Sequence, residues 1–381
     1  MAKDSLWVGT WAASPAPSEA GVTLNNHTLR LNPRVSLGGD AFRVRISNAY
    51  GAGKLTIGGA TIGIRDKGPG IVPGSARTLT FGGAASATVS AGALVLSDTV
   101  ELPVKPLGDL AVSLYLPGEI PPGQITGRYA RQTNYISPPG NFAGEAVMPV
   151  GKITDEWFFL CGIDVLAPKG TGGVVALGDS LTDANISTHD TFSRWPDQLA
   201  RRLIARKSGR TFGVMNQGLG GNRILHDVRG DSGLRRFDRD VLAQPGVTHA
   251  IVMLGTNDLR NRHAKPGEEV TAEQMIAGLA QMVVRAQARG IKLIAATLTP
   301  FGNETFLPGA WNPTREKHRV AFNAWIRESG VPDGVVDFDK ALRDPERPTQ
   351  MLPVFDCGDG LHPSDLGYCT LGDAIDLSLL D

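Results

Sequence analysis

Four short segments, far apart in a chain of 381 residues, carry side chains that together could form one hydrolytic site. Gly178-Asp179-Ser180-Leu181 offers a hydroxyl directly after an apolar run. Asn216-Gln217-Gly218-Leu219-Gly220-Gly221-Asn222 and Gly255-Thr256-Asn257-Asp258 offer hydrogen-bond donors in strand-to-helix loops. Asp359-Gly360-Leu361-His362-Pro363 offers a base with a carboxylate three residues before it. A serine hydroxyl becomes a useful nucleophile only when a base takes its proton. Of seven histidines, His362 alone has a carboxylate at minus three, and a proline and the helix-starting Ser364 follow it. A turn from Asp359 to His362 lets the carboxylate accept from one imidazole nitrogen while the other faces Ser180.

Each feature also has an ordinary structural explanation. Ser180 could cap a helix where a strand gives way to one, and Asn257 could cap the next helix or bond a neighbouring loop. The histidine segment could be a surface loop. Gly218-Leu219-Gly220 lacks the third glycine of a dinucleotide loop, so its better role is to present a backbone N–H where a small residue allows close approach. Asp179 and Asp183 are expected to orient the serine loop. The remaining histidines, His27, His189, His226, His249, His263 and His318, lack zinc-type spacing, so neither metal nor cofactor is expected. Phe301, Phe306 and Trp311 lie in a Pro/Gly-containing segment that could form a substrate wall or simply pack under a loop. Asn222, Arg223, Arg260 and Arg262 predict a polar approach, which would not suit a lipid surface.

The elements that must position these groups are readable from periodicity. Up to residue 168 the chain reads as short strands of period two: Phe42, Val44 and Ile46 alternate with Arg43 and Arg45, and Leu110, Val112, Leu114 and Leu116 repeat the pattern. Trp157, Phe159, Cys161, Ile163 and Val165 do the same. Such alternation predicts one buried and one wet face, and the Gly/Pro turn clusters between runs predict a jelly-roll-like β-sandwich over 1–168. Trp7 and Trp11 are aromatics available for docking, and this segment is expected to support the catalytic half of the chain. Lys169-Gly170-Thr171-Gly172-Gly173 reads as a linker into a second domain over 169–381. There, apolar runs at 174–177, 212–215, 250–254, 291–296 and 335–338 alternate with amphipathic stretches, as in a doubly wound parallel sheet. One helix should be opened by a Thr271/Gln274 capping box and closed by Gly290, and another should bury Trp195, Leu199 and Leu203. Ser180, the Gly221 loop and Asn257 then follow the first three strands, at the end of the sheet where such folds bind ligands.

Composition narrows the partners. The 41% hydrophobic and 20% charged content is that of a globular chain, and 38 basic residues balance 38 acidic ones. No global field would draw it to nucleic acid, and no run approaches the roughly 20 apolar residues of a membrane span. The first residues lack a signal-peptide pattern, which leaves a cytoplasmic protein or one whose signal was removed. Cys161 reads as a buried thiol. Cys357 and Cys369 flank His362, and whether they are bridged stays open.

The four segments, in this order, resemble the SGNH subgroup of the GDSL esterase/lipase family, whose blocks carry Ser, Gly, Asn and an Asp-x-x-His pair. The likeness covers about residues 173–381 and includes Arg194-Trp195-Pro196, Gly221-Asn222-Arg223 and Asp337-Phe338-Asp339. Arg34 to Asp40 and Gln132-Thr133-Asn134-Tyr135 are similar to the family's longer, two-domain members. The resemblance implies a flavodoxin-like, three-layer α/β domain with a five-stranded sheet. It also implies an acyl-enzyme on Ser180, with His362 as base, Asp359 orienting it, and an oxyanion hole from Ser180, Gly221 and Asn257. Cys357 and Cys369 depart from the small residues expected around the histidine block. The implied substrate is a small ester, with short-chain, aryl and acetylated-sugar esters as candidates. An acyltransferase on the same site, and a carbohydrate-binding or envelope protein without activity, are the rival readings.

Overall fold

The structure, a computed structural model, describes residues 4–184, 186–207, 209–261 and 264–381. Arg262 and His263, both named from the sequence, lie outside the described residues. The chain divides into two compact units, Met1–Thr171 and Gly172–Asp381.

In the first unit every strand pair is antiparallel. One sheet runs Ser5–Ala12, Leu160–Pro168, Gly39–Ser47, Val100–Val104. The other runs Lys152–Glu156, Tyr129–Pro139, His27–Leu31, Leu110–Leu116, Gly59–Ile64, Arg77–Thr78. Phe42, Val44, Ile163 and Val165 from the first sheet and Leu29, Leu31, Val112 and Leu114 from the second belong to one buried apolar cluster. The expected wet face is not uniformly wet. Arg45 and Asp164 are both buried, and the Asp164 carboxylate takes Arg43 Nε at 2.9 Å and Arg45 Nε at 3.1 Å. Gly162, the cross-strand partner of Arg45, makes room for this: a Cβ there would lie 2.2 Å from the guanidinium. The run from Trp157 to Val165 is not one strand either. Phe159 takes φ +61°, outside the pleated region, and the strand starts after it, at Leu160. Trp11 packs edge-on against Trp157, and Arg43 lies over the Trp7 ring.

The second unit holds a parallel five-stranded sheet: β1 (Gly172–Gly178), β2 (Phe212–Gly218), β3 (Val247–Met253), β4 (Lys292–Ala296) and β5 (Gly334–Val336), in the order β2-β1-β3-β4-β5. Every residue of β1 is buried, which is why it reads as a continuous apolar run. Ala272–Gln287 carries the expected capping box, with both the Thr271 and Gln274 bonds present, and Gly290 follows at φ +68°. Ala272, Met275, Gly278, Leu279, Met282, Val283 and Ala286 form its buried face, while Ile276 is only half-buried. Trp195–Ala205 buries Trp195, Leu199 and Leu203. The strand order reverses between β1 and β3, so the chain after their carboxyl ends borders the crevice where open α/β sheets bind ligands. Among the described residues no helix is long and apolar enough to cross a membrane.

Asp164→Ala would leave buried Arg45 without its counter-ion, and should lower the unfolding free energy of the first unit by about 3–5 kcal/mol. Thr271→Ala should cost the second unit only about 1 kcal/mol, the usual effect of a lost N-cap. Urea titrations of both variants test this ranking; equal losses would contradict it.

Candidate active site

Ser180 opens a one-turn helix, Ser180–Asp183, directly after β1. It is Asp179, and not the serine, that caps this turn: Asp179 Oδ1 accepts from the Leu181 N–H at 2.9 Å. The turn fits against β2 only because that strand ends in glycine, since a Cβ on Gly218 would lie 2.3 Å from Asp183 N. Asn216 Nδ2 donates to the Thr182 carbonyl at 3.0 Å from the same strand. Asn216 to Gly218 therefore belong to β2, and the loop expected from Asn216 begins at Leu219.

His362 arrives from the far end of the chain, and its Nε2 lies 3.0 Å from Ser180 Oγ. Its Nδ1 lies 2.6 Å from Asp359 Oδ2, while Asp359 Oδ1 accepts the N–H groups of Leu361 at 2.9 Å and His362 at 2.8 Å. Burial opposes ionisation of Asp359, but the bond and charge of His362 and these two N–H groups outweigh it and hold the carboxyl well below the usual range. An ionised carboxylate only accepts, so Nδ1 must carry the proton. Nε2 of the neutral ring is then an acceptor for the Ser180 hydroxyl. Serine and imidazole are both nine-tenths buried or more.

Gly221 takes φ +78°, a conformation that side chains rarely adopt, in the loop after β2. Asn257 sits in the turn Thr256–Leu259 after β3 and does not cap it; Gly255 holds that position at φ +133°. Its Nδ2 donates to Asp179 Oδ2 at 3.1 Å and to the Asn222 carbonyl at 3.2 Å, so the amide joins the serine turn to the residue after Gly221. The bond to a neighbouring loop, one of the ordinary roles open to this asparagine, is thus present. Arg236 was not legible as part of this arrangement. Buried on the short helix Gly233–Phe237, it donates to the carbonyls of Gly178 and Gln217, each at 2.8 Å, and to Asn222 Oδ1 at 3.0 Å. One guanidinium thus gathers the carboxyl ends of β1 and β2 and the glycine loop.

The polar approach expected from Asn222, Arg223 and Arg260 is absent. All three are buried and turned inward. Asn222 Nδ2 donates to the Asp231 carbonyl, Arg223 bonds Glu268, and Arg260 forms a two-pronged pair with Glu304. Arginine reads as solvent-facing by residue type, but here both guanidinium groups turn to carboxylates, that of Glu268 part-buried and that of Glu304 buried. Of the three aromatics, Phe301 is buried, Trp311 Nε1 bonds Glu316, and Phe306 is 50% exposed with its ring 6.0 Å from the His362 ring, edge to face. Arg194 donates to the Asp183 carbonyl, Asp337 caps Phe338–Leu342, and Asp339 pairs with Arg319, Arg327 and Arg343, so these flanking motifs are scaffolding. Cys161 is buried, and Cys161, Cys357 and Cys369 are all free thiols. Among the described residues one group could offer ligand atoms to a metal, Asp356, Cys357 and Asp359, within 4.8 Å of one another. Asp359 is already engaged by His362, and Asp356 Oδ1 accepts from the N–H groups of Gly358 and Gly360.

A family model described as the GDSL-like Lipase/Acylhydrolase family matches residues 176–369, just over half of the 381 residues. The chain belongs to that family and is an ester hydrolase. No match was found among curated proteins. Solved structures similar to it include the carbohydrate acetylesterase Est24 from Sinorhizobium meliloti, at 18% identity and TM-score 0.43 over 55% of this chain and 100% of that one. Also similar are a catalytic mutant of Axe2, an acetylxylan esterase from Geobacillus stearothermophilus (20%, TM-score 0.42, 55% and 94%), and a GDSL-like lipase from Bacteroides thetaiotaomicron VPI-5482 (19%, TM-score 0.41, 55% and 87%).

Two buried carboxyls lie behind the site. Burial raises Asp179 to about 6, against the Leu181 N–H, His362, Arg260 and Arg236, which lower it. Burial likewise raises Asp258 to about 7, against the Ile224 N–H and Arg223, with Asp179 adding to the rise. A carboxyl whose folded pKa is raised holds its proton more tightly when folded. Its contribution to stability is therefore greatest below the unfolded value of 3.8 and declines as pH rises through the folded one. The unfolding free energy of the wild type minus that of Asp258→Asn should fall between about pH 4 and pH 7 and level off above. Urea titrations across that range check this, and a difference that is flat or rises with pH would show Asp258 to be ionised throughout.

Proposed function

We propose that Ser180 is the nucleophile of this ester hydrolase, with His362 as general base and acid and Asp359 as its orienting carboxylate. The single observation that carries the reading is the continuous hydrogen-bonded path from Asp359 Oδ2 through the imidazole to Ser180 Oγ. Ser180 Oγ attacks the ester carbonyl carbon as its proton passes to His362 Nε2. The carbonyl oxygen becomes an oxyanion, held by the backbone N–H groups of Ser180 and Gly221 and by Asn257 Nδ2, which turns to it the N–H it otherwise gives the Asn222 carbonyl. Collapse breaks the carbonyl–alkoxy bond, and His362 returns the proton to the departing alcohol. Water then attacks the acyl-serine by the same route, giving the acid and free Ser180.

The substrate is a short-chain or aryl ester, acetylated saccharides included. Support comes from the even charge balance, which favours neutral ligands, and from Phe306, whose exposed ring beside His362 offers an apolar contact of limited extent. Activity on chromogenic esters should therefore peak at short acyl chains; a steady rise beyond about C12, following the per-methylene burial gain, would contradict this.

The residue roles predict a graded loss. Ser180→Ala and His362→Ala should each nearly abolish turnover, since groups that act as a unit fail together. Asn257→Ala should lower kcat by about 10²–10³ with little change in KM, because an oxyanion donor acts mainly in the transition state. Asp359→Asn should fall between these limits, its histidine retained but misoriented. Steady-state kinetics on one aryl ester, with circular dichroism as the folding control, test the series; a folded Ser180→Ala protein with near-wild-type kcat would refute the mechanism.

A further inference from the structure

Arg260 and Glu304 take no part in the chemistry proposed above, yet they connect its two halves. Arg260 Nη1 donates to Asn257 Oδ1 at 2.8 Å. Its Nε donates to Glu304 Oε2 at 2.7 Å, and Nη2 to Glu304 Oε1. Both side chains are almost wholly withdrawn from solvent. The loop around Glu304 is in turn fastened to the base. Thr305 donates its N–H to the Asp359 carbonyl at 2.9 Å. A Cβ on Gly360 would lie 2.3 Å from the Asn303 carbonyl oxygen and 2.8 Å from Glu304 N, so this loop presses directly on the backbone between Asp359 and His362. On its other side Gly302 N–H bonds the Thr349 carbonyl at 2.6 Å. Two residues past Glu304, Phe306 meets the His362 ring.

An asparagine amide has two nearly isosteric orientations, and only one offers a donor where the other offers an acceptor. With the Arg260 cation on Oδ1, rotating the amide by half a turn would set its NH₂ against the guanidinium. The same turn would set its oxygen against the Asp179 carboxyl. Arg260 therefore selects the orientation in which Nδ2 faces the serine turn and the glycine loop. An arginine so deeply buried needs its counter-ion. Glu304 supplies it from a loop that also clamps the Asp359 turn.

We propose that the Arg260–Glu304 pair positions both the oxyanion donor and the base: it fixes the Asn257 amide donor-inward and, through the Asn303–Thr305 backbone, holds the Asp359–His362 turn in register with it. The proposal rests on the roles assigned to Ser180, His362 and Asn257, and both members of the pair are positioning residues that never touch substrate. Losing such a pair should weaken transition-state stabilisation and leave ground-state binding nearly unchanged.

The test is a mutant cycle between Arg260→Met and Asn257→Ala, read as kcat and KM on one aryl ester. Arg260→Met alone should lower kcat by about 10–100-fold with KM within about twofold, a fraction of what one lost oxyanion donor costs. In the Asn257→Ala background, where there is no amide to orient, the same change should cost less than about threefold, the remainder being its effect on the base. Glu304→Gln should show the same non-additivity with a smaller loss. If Arg260→Met proves unfolded by circular dichroism, Arg260→Met combined with Glu304→Met, which leaves no charge buried alone, takes its place in the cycle. Equal losses in both backgrounds, or a loss confined to KM, would overturn the proposal. Ser180→Ala separates the two levels: turnover surviving in that variant defeats the underlying reading, whereas its abolition together with an additive cycle defeats only the positioning role.

Discussion

A carboxylate that accepts three hydrogen bonds within one tight turn is the constraint on which the rest of the site depends. Asp359 takes the imidazole of His362 and two backbone N–H groups, all from residues within three positions of itself. Those bonds fix the carboxylate as an anion, the anion fixes the tautomer of the ring, and the tautomer leaves Nε2 as an acceptor facing Ser180. If the turn were looser, the same residues would be present without a defined direction for proton movement. The glycine between Asp359 and Leu361 is needed for the same reason, since any side chain there would collide with the Asn303 backbone packed against the turn.

Around this centre the polar interior is organised by arginines. Arg236 collects carbonyls at the ends of β1 and β2, Arg260 holds Asn257, and Arg319 ties the Leu298 carbonyl after β4 to Asp339 after β5. The carboxyl end of a parallel sheet exposes backbone acceptors that the strand ladder no longer satisfies. A planar donor with several N–H groups can serve two or three of them at once. Such connections tie the carboxyl ends of neighbouring strands together. They also place two carboxyls, Asp179 and Asp258, where burial works against their ionisation, a strain that the surrounding donors only partly offset.

What could be read in advance depends on how strongly each feature marks the sequence. The parallel strands stand out because they are buried on both faces, so 174–177 or 291–296 reads as an apolar run; the ends of β1 and β2 were underestimated because Gly172, Asn216 and Gly218 carry no apolar signal, whereas the run 335–338 overshoots β5, since Asp337 caps the next helix and Phe338 opens it. The grouping of Ser180, Asp359 and His362 was legible because residue type and a three-residue spacing mark it. The buried arginines were not. Arginine is a surface residue by type, and the partners that make burial tolerable lie far off, 45 residues away for Arg223 and Glu268 and 44 for Arg260 and Glu304. The break at Phe159 was equally invisible, because a positive φ at an aromatic residue leaves no mark on hydrophobic alternation.

The central claim is that Ser180 carries the acyl group, and a covalent active-site label tests it most directly. The wild-type enzyme treated with a fluorophosphonate, followed by intact mass measurement and peptide mapping, should carry one adduct, on the peptide containing Ser180. Excess ester substrate should slow its formation, and the Ser180→Ala protein should not acquire it. An adduct on a different residue, or ester turnover that continues after Ser180 is fully modified, would contradict the account.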